Sequence, residues 1–261
     1  MIRDLLAKLT HLLFPRSHYE QVETEASLRV SVPRTIAHVY EALTREIQTA
    51  LDVSESGEAG DRKKRSDEIA RALLEELPRI QAVLECDLIE VLDHDPAAKS
   101  REEVQLAYPG FDALTVHRLA HFLQVSGVPL LPRIMSEIVH SRTGIDIHPA
   151  ATIAPYCSID HGTGLIIGET TIIGGHVNLF HNVTLGARSV TTEFRGCKRH
   201  PTIGSHVTIY PGATILGDIS VGDNSVIGGN VFLLESCPAN SKIYAKPPEM
   251  ILKTKRDEGL S

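Results

Sequence analysis

The sequence has no tryptophan, and aromatic residues fill only 5% of its 261 positions. A core built from it must be aliphatic. The four cysteines, Cys86, Cys157, Cys197 and Cys237, stand far apart and form no CxxC pair. That leaves a zinc ribbon or thioredoxin-like motif unsupported, and so sparse a set is not a disulfide framework. A reducing, cytoplasmic compartment is the expectation. No apolar run reaches the ~18 residues of a membrane-spanning helix, so no membrane partner is expected. Basic residues number 26 against 33 acidic, a net charge of −7. That balance argues against a broad nucleic-acid footprint. Histidine is the abundant reactive residue, with 13 copies.

The length suits one or two domains. The first half carries helical spacing. Leu5, Leu6, Leu9, Leu12 and Leu13 mark a docking helix within Met1–Arg16, and Asp4 with no small-residue cleavage site argues against a signal peptide. Ile36, Val39, Leu43, Ile47 and Leu51 recur every three or four residues. Ser54 to Lys64 reads as a loop. Ser66 is a candidate N-cap with Asp67 and Glu68 behind it. The helix it opens should stop or kink at Pro78. Ile80, Val83, Leu84, Leu88, Val91 and Leu92 make the next stripe, which Asp95-Pro96 ends. Two more helices are expected, roughly Asp112–Gln124 and Leu130–Ser141.

From Gly144 the period becomes six. Ile147, Ile153, Ile159, Leu165, Val177 and Val183 keep the count, with Thr171 a weak slot. Ile203, Ile209, Ile215, Val221, Ile227 and Leu233 keep it without a miss. A hexapeptide repeat of this kind signals a parallel β-helix, with three repeats to each turn. The aliphatic residue of each repeat points inward, and glycine and polar positions form the corners. The register breaks between Val183 and Ile203, where Arg188 to Lys198 reads as a loop extruded from one coil. Loops on a rigid scaffold are where sites are built.

Particular segments then point to one family. Gly144-Ile-Asp-Ile-His-Pro-Ala-Ala151, Asp160-His-Gly-Thr-Gly164, Gly168-Glu-Thr170, Val183-Thr-Leu-Gly186 and Arg199-His-Pro201 resemble serine acetyltransferase. Asp95-Pro-Ala97, Tyr108-Pro-Gly-Phe111, His117-Arg118 and His121 resemble the helical domain of that family. The resemblance runs from about Ile80 to Pro247. It implies an α+β fold: an α-helical domain over 1–143 for oligomerisation and substrate closure, then a left-handed parallel β-helix over 144–245. The extruded loop would span 188–198 and a C-terminal tail 246–261.

The implied reaction is transfer of acetyl from acetyl-CoA to the hydroxyl of L-serine by direct attack, giving O-acetylserine for cysteine synthesis. A serine hydroxyl is a poor nucleophile at neutral pH and needs a general base, for which histidine is suited. The motif assigns that base to His161 and its carboxylate partner to Asp146. Asp95 and Asp160 would hold the substrate ammonium. Arg199 would hold its carboxylate with a guanidinium fork. His200 is the second histidine of the site, catalytic or substrate-orienting. The backbone N–H of Ala187, where the family usually has glycine, would face the oxyanion. Pro211 and Gly229, three whole repeats apart and so on adjacent coils, are the expected contacts for acetyl-CoA, which lies between subunits in this family. No metal is expected.

The family works as a homotrimer, often paired into a hexamer, and often binds cysteine as a feedback inhibitor. Many members dock a C-terminal isoleucine into cysteine synthase. This chain ends Glu258-Gly-Leu-Ser261, which counts against that partner. Two other readings compete with the main one. A hexapeptide acyltransferase for homoserine or a sugar is one; a sugar would need no paired recognition by Asp95, Asp160 and Arg199. A metal-binding β-helix is the other, through His176 and His181. Those two stand almost one repeat apart, on different sides of a coil, and are read as surface or interface residues.

Overall fold

The computed structural model describes residues 1–15, 24–56, 58–189 and 196–246. Among the described residues six helices lead: α1 (Ile2–Leu13), α2 (Glu25–Ser54), α3 (Ala59–His94), α4 (Arg101–Ala107), α5 (Pro109–Val125) and α6 (Leu131–Thr143). Among the described residues no helix is long and apolar enough to cross a membrane. α1 lays Leu5, Leu6, Leu9 and Leu13 into the helical core, as its spacing requires. The helix expected to open at Ser66 starts earlier, and Pro78 does not end it. Ser66 is wholly buried inside α3, its hydroxyl donating to Lys63 O at 2.8 Å. A mid-helix proline costs about 3 kcal/mol. The buried row Leu73, Leu77, Ile80, Leu84 and Leu88, at roughly 1.5–3 kcal/mol per side chain, outweighs that. The expected loop from Ser54 to Lys64 shrinks to the residues between α2 and α3.

Fourteen short strands follow among the described residues, from β1 (Asp146–Ile147) to β14 (Lys242–Ile243), all in parallel pairs. They stack as three flat sides. Side 1 holds β1, β4 (Ile166–Ile167), β7 (Thr184–Gly186), β10 (Thr214–Leu216) and β13 (Phe232–Leu233). Side 2 holds β2 (Thr152–Ile153), β5 (Ile172–Ile173), β8 (Thr202–Ile203) and β11 (Ser220–Val221). Side 3 holds β3 (Cys157–Asp160), β6 (Val177–Phe180), β9 (Thr208–Ile209), β12 (Val226–Ile227) and β14. The parallel β-helix expected from the six-residue period is present.

Its phase differs from the simple count. Ile147 pairs with Ile167, and Ile167 pairs with Leu185. The second step is three whole repeats, whereas the first is longer by two residues. Two extra residues therefore enter the first coil, at the turn around His161. Past that turn the aliphatic slot runs Ile167, Ile173, Leu179, Leu185, and these residues are buried. Leu165, Thr171, Val177 and Val183 occupy the companion inward slot, where Ala213 and Ser225 sit in later coils. Thr171 thus fills a companion slot that takes both aliphatic and small residues. The second interruption is in phase. Leu185 pairs with Ile215, a step of one full turn plus two whole repeats. Those two repeats are the expected extruded loop, of which 190–195 lie outside the described residues, as does the tail from 247.

The helical part is clamped to the first coil by a buried ion pair. Asp87 of α3 is wholly buried and Arg118 of α5 grips it with Nε and Nη2, each at 3.0 Å. Arg118 also donates to Ile153 O at 2.6 Å and Ala154 O at 3.0 Å, while Asp87 accepts from Cys157 N at 2.9 Å. α5 lies so close to β3 that a Cβ on Gly110 would stand 2.1 Å from Ile159 O. Only glycine permits that approach.

Candidate active site

The three sides meet at corners, and the expected site residues divide between two of them. Corner I joins side 3 to side 1 through residues 161–165, 181–183, 210–213 and 228–231. Corner II joins side 1 to side 2 through 148–151, 168–171, 187–189 with 196–201, and 217–219.

His161 stands at corner I, on the turn that the two extra residues create, with φ +56° and a side chain 74% exposed. Its Nε2 lies 3.4 Å from Asp160 Oδ1, and its ring lies 5.9 Å from that of His181 one coil below. Asp146 begins β1 just past the same corner. Its ion pair is with Arg133 of α6 at 3.3 Å, and among the described residues no hydrogen bond or ion pair joins it to His161. Glu137, His140 and Asp146 could together ligate a metal geometrically. Arg133 pairs with both carboxylates, so a positive charge is already supplied there.

Beside His161 a cleft of about 160 Å³ opens between the end of α3 and the outer face of side 3. Outward-facing rungs form its floor: Asp160 pairs in register with Phe180, whose ring stacks on Tyr210 at 5.2 Å. Asp95, just past α3, forms the opposite wall. Both its oxygens are held, Oδ2 by the Tyr108 hydroxyl at 2.7 Å and Oδ1 by Ala97 N at 2.8 Å. Burial, with the bond to Asp95 next, pushes the Tyr108 phenol up to about 12, so it remains a donor. Asp95 and Asp160 thus line one cleft, at a helix C-terminus where the dipole also favours a cation. No lysine or arginine lines it among the described residues. Tyr108, which fixes Asp95, belongs to the Tyr-Pro-Gly-Phe motif, but the motif alone assigns it no role.

Arg199, His200 and Ala187 lie at corner II. Thr170 fixes the pair. Its hydroxyl oxygen accepts from Arg199 N at 3.0 Å and from His200 N at 3.1 Å. Its backbone N–H donates to His200 Nδ1 at 3.1 Å. Nδ1 is therefore the unprotonated nitrogen, and Nε2 carries the hydrogen. His200 is only 7% exposed. Burial, and next the charge of Arg199, lowers its imidazole to about 4, so it is neutral near pH 7. It packs under Gly168, where a Cβ would stand 2.0 Å from its Cδ2. The Arg199 guanidinium pairs with Glu169, whose carboxyl is held below its usual range chiefly by that hydrogen bond. Glu169 and Thr170 are the functional neighbours that the Gly-Glu-Thr motif signalled without assigning.

Pro211 and Gly229 stack as their spacing implied, Asn230 N donating to Pro211 O at 3.0 Å. They extend the His161 column at corner I, whereas Ala187 sits at corner II. His176 and His181 lie at different corners, so one chain cannot bring them to a shared metal. The two site halves are separated by the width of side 1, roughly 20 Å for a six-residue span at about 3.3 Å per residue.

The chain matches two family models: "Serine acetyltransferase, N-terminal" over residues 16–116 and "Bacterial transferase hexapeptide (six repeats)" over 200–234. It is 41% identical over 251 residues to a plasmid serine acetyltransferase of Synechococcus elongatus, covering 92% of this chain and 78% of the relative. Its fold superposes on serine acetyltransferase isoform 3 of Entamoeba histolytica in complex with cysteine. There the TM-score is 0.81, with 31% identity and coverage of 97% of this chain and 85% of the other. It also resembles the Brucella abortus serine acetyltransferase in complex with coenzyme A, with a TM-score of 0.63, 29% identity and 96% of each chain covered. The chain belongs to the serine acetyltransferase family.

Proposed function

We propose that this protein transfers the acetyl group of acetyl-CoA to the hydroxyl of L-serine, giving O-acetylserine for cysteine synthesis. The observation that carries the reading is the cleft at corner I. Asp95 and Asp160 both line it, the C-terminal end of α3 reaches it, and the exposed His161 stands next to Asp160. Such a cleft selects an acceptor with an ammonium group. A sugar would leave both carboxylates without a cation, so the sugar reading loses support.

In this reading His161 takes the proton from the serine hydroxyl as its oxygen attacks the thioester carbonyl; the tetrahedral intermediate then breaks its C–S bond, and the leaving CoA thiolate takes the proton back from the imidazolium, which a carboxylate stabilises meanwhile. Asp160 is the carboxylate beside it. The role expected for Asp146 requires the exposed His161 ring to swing towards it and Arg133 to yield. The Ala187 N–H is the candidate oxyanion donor. Pro211 and Gly229 give acetyl-CoA a flat column to lie against, next to His161.

Among the described residues no lysine or arginine lines the corner I cleft to hold the substrate carboxylate, and the neutral His200 and the Arg199 fork stand one side-width away. A second copy of the chain, set with its corner II against this corner I, completes the pocket. The two corners differ, so the contact is heterologous, and the ring we propose it closes into is a homotrimer. Cysteine carries the same ammonium and carboxylate as serine, so it is proposed to occupy the same cleft as an inhibitor.

The test is thiol release from acetyl-CoA with L-serine or L-homoserine as acceptor, for wild type and His161→Ala. The expected result is turnover with serine, reduced about 10²–10⁴-fold in the variant, the range for loss of a general base. Undiminished turnover in the variant would overturn the mechanism, and turnover with homoserine alone would overturn the substrate.

A further inference from the structure

Behind the wall of the corner I cleft lies a buried carboxylate that the reaction scheme leaves without a role. Glu90 sits on α3, little more than a helical turn before Asp95, and is 2% exposed. Its Oε2 lies 2.9 Å from His176 Nδ1 and its Oε1 3.3 Å from Asn178 Nδ2. His94 Nδ1 is 3.3 Å from the same Oε1 and 3.0 Å from the Glu90 carbonyl oxygen. Asn178 in turn accepts a hydrogen bond from the Ser158 hydroxyl. Burying a carboxylate is unfavourable by several kcal/mol unless donors surround it. Here the donors come from α3 itself and from two neighbouring positions of the β-helix.

The partners of Glu90 are themselves fixed. His176 sits on the turn between β5 and β6 with φ +58°. Its ring is sandwiched between Tyr156 at 4.3 Å and His206 at 4.6 Å, nearly parallel to both. Ser158 and Asn178 are buried, although they point outward from side 3, because α3 covers them. His94, Asp95, Ser158, Asn178 and Asp160 all line the same cleft. Glu90 therefore joins the last turn of α3, which presents Asp95, to the coil wall, which presents Asp160.

We infer that Glu90 is a positioning residue for the amino-acid substrate: through His176 and Asn178 it sets the separation of Asp95 from Asp160. The inference rests on the reading that these two carboxylates bind the substrate ammonium. It assigns His176 to the same task, at a corner position that His206, Asn224 and Asn240 fill in later coils.

Two variants test it, each compared with wild type for KM and kcat with L-serine and acetyl-CoA. Glu90→Gln keeps the shape and removes the charge. His176→Asn keeps a residue that tolerates the left-handed turn and removes the contact. Each is expected to raise the KM for serine about tenfold, the scale of losing a hydrogen bond to a buried charge. The kcat should remain within about threefold and the KM for acetyl-CoA should not move. The double variant should show no further increase, because both changes break one contact. A serine KM that stays at the wild-type value in folded His176→Asn would overturn the inference, as would equal changes in both KM values. If Glu90→Gln does not fold, His176→Asn reads the same contact. Asp160→Asn separates the two levels. If it leaves the serine KM unchanged, the ammonium reading fails; if it raises that KM while His176→Asn does not, only the positioning role fails.

Discussion

His200 shows how a side chain's chemistry follows from what surrounds it. Thr170 N–H occupies Nδ1, Gly168 leaves just enough room above the ring, and burial makes a charge unfavourable there. A histidine in that setting donates from Nε2 and does not act as a cation. Its lowered value also makes a statement about stability. The unfolded chain binds the proton below about pH 6.5, whereas the folded protein does so only near 4. Stability is thus fully present above about 6.5 and is lost as pH falls towards 4. His117 and His148, both lowered mainly by burial, act in the same direction. Thermal melting between pH 7 and pH 4 should show a falling midpoint, with a shallower slope in His200→Asn. An identical slope would show that His200 is charged in the folded protein. Histidine number was visible in the sequence, and so were the motifs holding His161 and His200. Thr170's three contacts were not, because they depend on the next coil, which lies beyond the extruded loop in sequence.

At the scale of elements, the hexapeptide period was legible because each repeat must bury one aliphatic side chain in a narrow coil. Its phase was less so. Both inward slots of a repeat accept aliphatic residues, so a two-residue insertion passes unnoticed when the count moves from Ile159 to Leu165. That insertion matters, since it builds the turn on which His161 stands. Pro78 and Ser66 misled for a related reason: local preferences of about 1–3 kcal/mol yield to a 36-residue helix packed along one face. The joint between helices and coil rests on Asp87 and Arg118, whose ion pair no local pattern announces. Removing one partner strands a buried charge. Asp87→Ala should lower unfolding stability by about 3–5 kcal/mol, read by denaturant titration. A loss below about 1 kcal/mol, less than a buried charge left unpaired should cost, would mean that the clamp adds little.

At the scale of the whole molecule, the division of the site is the main result that the sequence did not disclose. Asp95, Asp160, His161, Pro211 and Gly229 belong to corner I, and Ala187, Arg199 and His200 to corner II. Motif positions along a chain do not reveal this, because each turn of the coil passes every corner. In the proposed function an amino-acid acceptor needs both an anionic and a cationic end to its pocket, and each corner would supply one. The proposed trimer follows from that mismatch within the chain, independently of the apolar surface the chain exposes.

The most direct test of that account is complementation between two variants, His161→Ala and Arg199→Ala, each assayed alone and then unfolded together at equal amounts and refolded. Each alone should be nearly inactive with acetyl-CoA and L-serine. Random assembly at equal amounts gives each mixed trimer one intact interface in three, or roughly a quarter of all interfaces once unmixed trimers are counted, so about a quarter of wild-type activity should return. Activity that stays at the level of the separate variants, in trimers shown to be mixed, would contradict a site shared between chains.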